Sequence, residues 1–280
     1  MSESWAFYRS SRNWIRIITA CQSREYAIRI SITVEEVITV SKKIFAYAGV
    51  NNPERSYTVR CIQKSIELLR ERMDIELNLY TNQELPIQNC QGCLRCFFYG
   101  ECVLDSQDGF HKIKQEMQNS DFIILGSPVY LHNVSGYMKT FIDRLSYWSH
   151  IFALRNKNGL VIATADCSGT YEVNEYLNKA LTCFGCSVVG KIELKSCYGI
   201  NEELYRICAA KIYTGLIKDA KSNEVLEERF HATKQLMIYR ENRKVDDEMG
   251  SELRYWKETG MLYAGSFSEV LEKGGWKNVC

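Results

Sequence analysis

Residues 121–145, DFIILGSPVYLHNVSGYMKTFIDRL, decide the fold. Phe122, Ile123, Ile124 and Leu125 form a short unbroken apolar run closed by Gly126-Ser127-Pro128. That pattern reads as a strand buried on both faces. Val134, Met138, Phe141, Ile142 and Leu145 then recur at helical spacing, with Lys139, Asp143 and Arg144 between them. The order is buried strand, polar loop, amphipathic helix. Ligands of open α/β sheets bind beyond the carboxyl ends of the strands, so the loop 127–136 is expected to face a ligand crevice.

Working outward, residues 44–48 (IFAYA) read as a strand and 49–56 as a loop with Asn51, Asn52 and Pro53 as turn residues. A helix over 57–72 carries Val59, Ile62, Ile66 and Leu69 on one face, and 75–80 alternates as a second strand. Phe110, Ile113 and Met117 mark the helix before the opening strand. Residues 160–164 and 187–194 read as the fourth and fifth strands, separated by a helix over 172–184. Strands alternating with helices predict α/β architecture, a doubly wound parallel sheet covered on both faces. Five strands with short connections suit the flavodoxin-like order, whose ligand lies where the first and third strands part.

Three segments follow: an extension over 1–41, a core over 42–200, and a helical extension over 201–280. Ile28, Ile30, Ile32 and Val34 alternate with polar residues, and residues 14–18 (WIRII) are a candidate hairpin partner. This ribbon reads as an edge or dimer contact, with a substrate-specificity element as the alternative. Leu204, Ile207, Cys208 and Ile212 form one helical stripe near the end of the chain, and Leu226, Phe230 and Met237 another.

Composition removes several function classes. Among 280 residues, 35 Lys plus Arg balance 34 Asp plus Glu, so no basic surface for nucleic acid is indicated. No apolar run approaches the roughly 18 residues of a membrane span, and no export signal is evident. A cytoplasmic location is expected. Four of the twelve cysteines are clustered as Cys90-x2-Cys93-x2-Cys96-x5-Cys102. In a reducing compartment such a run points to a metal or redox site before a disulfide framework.

Arg55-Ser56-Tyr57-Thr58 opens the first helix, where free backbone N–H groups and the helix dipole make an anion site. A Ser there is equally an ordinary N-cap. Neither G-x-x-x-x-G-K-[ST] nor G-x-G-x-x-G occurs, which fits a metal-free monophosphate better than a nucleoside triphosphate or a separate nicotinamide domain.

These residues resemble the flavodoxin-like NAD(P)H-dependent FMN reductase family, in its iron–sulfur flavoprotein branch. The resemblance rests on Gly49 with Ser56-Tyr57-Thr58, the four clustered cysteines, Ser127-Pro128-Val129-Tyr130, Asn133-Val134-Ser135-Gly136, Lys139 and Asp143-Arg144. It implies that Ser56, Tyr57 and Thr58 hold the FMN phosphate, and that Pro128, Val129, Tyr130 and Asn133 border the isoalloxazine ring. Backbone and Asn donors there would stabilise the reduced flavin. Asp166, Ser168 and Gly169, after the fourth strand, form a third loop at the same edge and are expected to reach the flavin. His132, in the ring loop with Tyr130, is a candidate proton donor or else a surface histidine. Cys90, Cys93, Cys96 and Cys102 are expected to wrap a [4Fe–4S] cluster; structural thiols, a redox pair and zinc are the alternatives. Cys183-Phe-Gly-Cys186 reads as a helix end more than a redox pair.

The resemblance implies an FMN-dependent oxidoreductase taking electrons from NAD(P)H or a ferredoxin-like donor to a small-molecule acceptor or redox partner protein. A flavodoxin-type electron carrier and a non-catalytic interaction protein are the alternatives. A homodimer or higher homo-oligomer is expected. Tyr147-Trp148 and Trp256 are candidates for covering a neighbour's flavin, or equally for the core.

Overall fold

The computed structural model describes residues 5–9, 14–18, 41–243 and 250–273. The chain divides into two units, Met1–Val40 and Ser41–Cys280. In the first, β1 (Trp5–Arg9) pairs antiparallel with β2 (Trp14–Ile18), Trp5 opposite Ile18 and Arg9 opposite Trp14. The strand expected at 14–18 is present, and among the described residues it pairs with β1, which precedes it. Strands this close in sequence pair at low loop-closure cost. The strand expected at 28–34 lies outside the described residues.

In the second unit, β3 (Lys42–Ala48), β4 (Ile75–Tyr80) and β5 (Phe122–Tyr130) are joined by β6 (Asn133–Val134), which folds back on the end of β5. With β7 (Asn158–Ala165) and β8 (Ser187–Lys195) the sheet order is β4-β3-β5-β7-β8, all parallel along that path. Ranked by appearance in the core, this is the 2-1-3-4-5 order of a flavodoxin-like sheet. The topological switch lies between β3 and β5, as expected.

Side chains alternate between the two faces of each strand, and the core divides accordingly. Phe45, Tyr47, Ile123, Leu125, Val161 and Ala163 face one layer, formed by α4 (Phe110–Asn119), α5 (Gly136–Arg144) and α7 (Thr170–Cys183). Ile44, Ala46, Phe122, Ile124, Leu160 and Ile162 face the other, formed by α1 (Tyr57–Arg70) and α8 (Glu202–Ile217). The unbroken apolar runs of β3, β5 and β7 therefore feed two cores at once.

The boundary expected at 200/201 does not separate two packing units. Cys208, Ala209 and Ile212 of α8 are buried with α1 against the sheet. A Cβ added at Gly215 would lie 2.4 Å from Phe122, so α8 seats against the sheet only because that position has no side chain. Asn158 Nδ2 fastens its end, donating to the carbonyls of Gly215 and Lys218 at 2.8 and 2.7 Å.

Beyond α8, the helices α9 (Glu224–Asn242), α10 (Ser251–Glu258) and α11 (Phe267–Glu272) enclose a third core of Phe152, Leu226, Phe230, Met237, Trp256 and Phe267. Trp256 is 0% exposed and donates Nε1–H to the His150 carbonyl at 2.7 Å; Trp148 is 1% exposed. Both tryptophans are interior anchors in this chain, not a surface cover. Among the described residues, no helix is long and apolar enough to cross a membrane.

Candidate functional site

Three loops meet at the carboxyl edge of the sheet around the β3/β5 switch. The first follows β3. Gly49 N–H donates to the Gly126 carbonyl at 2.8 Å, and Asn82 N–H donates to the Val50 carbonyl at 3.0 Å, fixing the loop's base. Ser56 caps α1, its hydroxyl accepting from Val59 N–H at 3.2 Å. The earlier first-turn N–H groups have no intrahelical acceptor, so Tyr57 and its neighbours present donors at the positive end of the helix dipole. Tyr57 is exposed beneath the Arg60 guanidinium, 5.5 Å from its ring centroid.

Thr58 differs from the expectation. Its side chain is fully buried, with its hydroxyl 2.7 Å from that of Thr164 in β7. It holds the helix to the sheet and does not offer its hydroxyl to the crevice. Gly126 makes this possible: a Cβ there would lie 2.4 Å from Thr58 Cγ2.

The second loop is shorter and more regular than 127–136 predicts. β5 continues to Tyr130, with Ser127 and Pro128 paired to Ala163 and Thr164 of β7. Pairing with β3 ends at Gly126, so Pro128, lacking an N–H, sits where one neighbouring strand has already left. Val129 and Tyr130 then pair with Val134 and Asn133, leaving Leu131 and His132 as a two-residue hairpin turn. Both have positive φ, 49° and 58°. Tight hairpins require that geometry, but it favours Asn and Gly, and two side chains held there mark a strained site. The turn presents Tyr130 at 59% and Leu131 at 97% exposure.

The strap under this hairpin is a serine pair. Ser127 Oγ accepts from Ser135 N–H at 3.0 Å and donates to the Pro128 carbonyl at 2.8 Å. Ser135 Oγ caps α5 by accepting from Met138 N–H at 3.1 Å, and donates to the Gly49 carbonyl at 2.5 Å. One buried hydroxyl thus ties the first loop, the hairpin and α5 together.

The third loop, 166–169, joins them at Gly169. Its φ is +84°, and a Cβ would fall 2.6 Å from Val129 Cγ1 and 3.3 Å from His132 Cα. Asp166 accepts from Ser196 Oγ at 2.8 Å through its carboxylate and from Cys197 N–H at 2.9 Å through its carbonyl. Ser168 is exposed beside it. His132 Nδ1 lies 3.4 Å from Glu172 Oε1, and the Glu172 carboxyl is held low by its own backbone N–H and then by His132.

The structure therefore brings Ser56, Tyr57, Pro128, Val129, Tyr130, His132, Asn133, Asp166, Ser168 and Gly169 to one sheet edge. A cavity of about 590 Å³ opens beside them, with Asn82, Pro86, Ile87 and Asn89 on one wall and Gly136, Tyr137 and Thr140 on the other. The Tyr47 hydroxyl is buried with no hydrogen-bond partner, and burial first, then Glu84 and Tyr137, push its titration up. Open helical donors and an exposed aromatic face suit a planar ligand with an anionic tail.

The cysteine loop is anchored from below. α2 (Arg95–Tyr99) carries Cys96, and left-handed Gly92, Leu94 and Gly100 wind the chain around it. Arg144 is buried and bridges Asp108 and Asp105 of α3 (Asp105–Asp108), also donating to the Gln88 carbonyl at 3.0 Å. Lys114 reaches Asp105 at 2.7 Å. From above, Ser251 Oγ donates to the Phe97 carbonyl at 3.3 Å, and Phe97 packs edge-on against His150 of α6 (Trp148–Ile151) at 5.0 Å.

Cys90 and Cys93 are exposed, Cys96 and Cys102 half-buried. Burial pushes the Cys96 thiol up to about 11, with smaller contributions from the other three thiols and an opposing one from Lys114. The four are electrostatic neighbours, yet among the described residues no three His, Cys, Asp or Glu side chains converge to hold a metal. Cys186 is buried after left-handed Gly185, at the helix end that its sequence suggests.

Several supporting residues were not legible as such. Ser135 had an N-cap signal, a Ser directly before an amphipathic helix. Arg144 belongs to the motif that carries the resemblance, but its partners had no signal; Thr164 and Glu172 had none themselves, because each acts through a partner distant in sequence.

The sequence profile described as NADPH-dependent FMN reductase matches residues 42–198. An iron-sulfur flavoprotein of Archaeoglobus fulgidus is 31% identical over 190 residues, covering 63% of this chain and 80% of that protein. One from Clostridioides difficile is 26% identical over 150 residues, covering 54% and 65%. Among solved structures, an NADH:FMN oxidoreductase in its apo form aligns with 66% of this chain and 94% of its own, at 18% identity and a TM-score of 0.49. The loops at this sheet edge thus lie within the matched segment, and the chain belongs to the NADPH-dependent FMN reductase family of flavin-dependent oxidoreductases.

Proposed function

We propose that the protein binds FMN at the β3/β5 edge and passes electrons from NAD(P)H to a small-molecule acceptor. The observation that carries this reading is the convergence of the open α1 N-terminus, the strained Leu131–His132 hairpin and the 166–169 loop on one crevice. FMN bound there would supply hydride and single-electron chemistry. Ser56 shapes the first turn, whose N–H groups near Tyr57 would hold the phosphate. Val129, Tyr130 and Asn133 would border the ring, Tyr130 offering an aromatic face and a hydroxyl. Asp166, Ser168 and Gly169 would close the remaining side. His132, oriented by Glu172, would hold a proton on its imidazole at the crevice mouth. Association of two copies over the exposed hairpin belongs to the same proposal.

The clustered cysteines are proposed as the ligands of a [4Fe–4S] cluster. Four soft thiolates suit it, and buried Arg144 and Lys114 nearby would offset its negative charge. The exposed Cys90–Cys93 turn would have to close toward Cys96 and Cys102 to complete the cage.

The test is the visible spectrum of anaerobically purified full-length protein. Flavin bands at about 375 and about 450 nm are expected, with a shoulder at about 400 nm from the cluster. NADPH or NADH should bleach the longer-wavelength band before acceptor is added. A colourless protein that takes up no FMN would sink the flavin proposal. Flavin bands without iron, sulfide or a shoulder removable by Cys96→Ala would sink the cluster alone.

A further inference from the structure

Away from the crevice, a cavity of about 430 Å³ opens between α7, β8 and α9. Tyr176, Lys179 and Thr182 line it from one side of α7, and Val225 and Arg229 from the start of α9. Lys179 lies nine residues beyond the α7 start at Thr170, about 13 Å along the helix axis from the crevice edge.

The charges around this cavity do not cancel. Its one carboxylate, Glu175, is paired with Lys191 at 2.5 Å. Among the described residues, neither Lys179 nor Arg229 is in an ion pair. On α9, Glu227 is turned to α11, where it accepts from Phe267 N–H at 2.7 Å and Ser268 N–H at 2.9 Å, and Glu224 and Glu228 are exposed and do not line the cavity. The Nε–H of Arg229 is buried and has no acceptor, an uncompensated donor of the kind a folded protein seldom leaves. The two cations approach from opposite walls. Both bear on the Cys183 thiol, which burial pushes up while Arg229 and then Lys179 pull it down. Tyr176, Val188 and Val225 give the same cavity an apolar side.

We propose that this cavity binds a small organic anion, its phosphate or carboxylate head between Lys179 and Arg229 and its apolar body against Tyr176, Val188 and Val225. A volume of this size exceeds that of a bare inorganic ion and falls within the range of small-ligand sites. Guanidinium and ammonium donors together suit an oxyanion with several acceptor oxygens. The site is independent of the flavin crevice and does not rest on the proposed function.

The probe is phenyl phosphate, titrated into the full chain in the presence of FMN, with the Val188 and Val225 methyl NMR signals as readout. These methyls lie outside the crevice, so phosphate binding at the α1 N-terminus does not move them. Saturable shifts are expected at submillimolar to millimolar concentration, with about tenfold weaker binding of inorganic phosphate and no saturation by phenol. Benzoate binding as tightly as phenyl phosphate would assign a carboxylate head; weaker benzoate binding would assign a phosphate. Lys179→Glu changes an exposed side chain, so its fold should persist while affinity drops at least about tenfold. Arg229→Gln should do the same. Absence of saturable shifts up to about 10 mM, or unchanged affinity in a folded Lys179→Glu variant, would overturn the proposal.

Discussion

The hydroxyl of Ser135 donates to the carbonyl of Gly49 at 2.5 Å, joining the start of the α5 layer to the loop after the first core strand. The same oxygen caps α5 through Met138 N–H. A Cβ at Gly49 would stand 2.5 Å from Met138 Cβ and 2.7 Å from this oxygen, so the contact needs glycine on one side and a small hydroxyl on the other. The crevice geometry depends on that junction.

Ser135→Ala removes a cap and a buried strap together. Loss of about 1–2 kcal/mol of stability is expected from the cap. The unpaired Gly49 carbonyl should also loosen the first loop. Chemical denaturation would give the stability, and flavin fluorescence quenching should show weaker FMN binding. Unchanged values on both counts would remove the strap from the account.

Leu131→Gly should stabilise the protein. Leu131 is almost wholly exposed at φ 49°, so it contributes little packing to set against a left-handed backbone. Relief of that strain outweighs the entropy cost of glycine by about 0.5–1 kcal/mol. A rise in melting temperature is the expected sign; a fall would mean that the leucine side chain is covered in the working protein.

Arg144→Met should cost about 3 kcal/mol or more, because it strands the Asp108 and Asp105 carboxylates in a buried position. Burial alone would raise Asp108, but Arg144 and the N–H groups of Gln88 and Phe110 outweigh it and hold the carboxyl below its ordinary value. Since this network carries the segment from Gln88 to Asp108, limited proteolysis should cut the cysteine loop of the variant well before the sheet.

Glu227 gives a pH signature. Burial opposes its ionisation, but the nearby Ser222 hydroxyl and the hydrogen bonds from Ser268 and the N-terminus of α11 bring its carboxyl down from 4.5 to about 2. A lowered carboxylate stabilises the fold at pH above its unfolded value and loses that contribution as pH falls through the folded value. The contribution, on the order of 2–3 kcal/mol, should therefore fade between pH 4.5 and about 2. Glu227→Gln should flatten the acid limb of the stability profile over that window.

The pattern of residues carried the sheet because burial on two faces leaves a direct mark: runs such as Phe122–Leu125 have no polar alternation to lose. The flavodoxin-like order followed from five strands alternating with helices through short connections. The crevice edge was legible for the same reason, since strand ends and helix starts are punctuated by Gly, Pro and Ser. Where a side chain turns was not. Thr58 sits in the phosphate-binding position by sequence, but Gly126 opens a slot that draws its hydroxyl inward to Thr164. Trp148 and Trp256 left a surface cover and a core position equally open by sequence; the third core encloses Trp256, and Trp148 packs against Phe184. Arg144 reads as one polar residue on an amphipathic helix; only folding brings it to the two aspartates that hold the cysteine loop. Local chemistry writes elements and their ends into sequence, whereas the partner of a buried polar group is chosen by contacts between segments far apart in the chain.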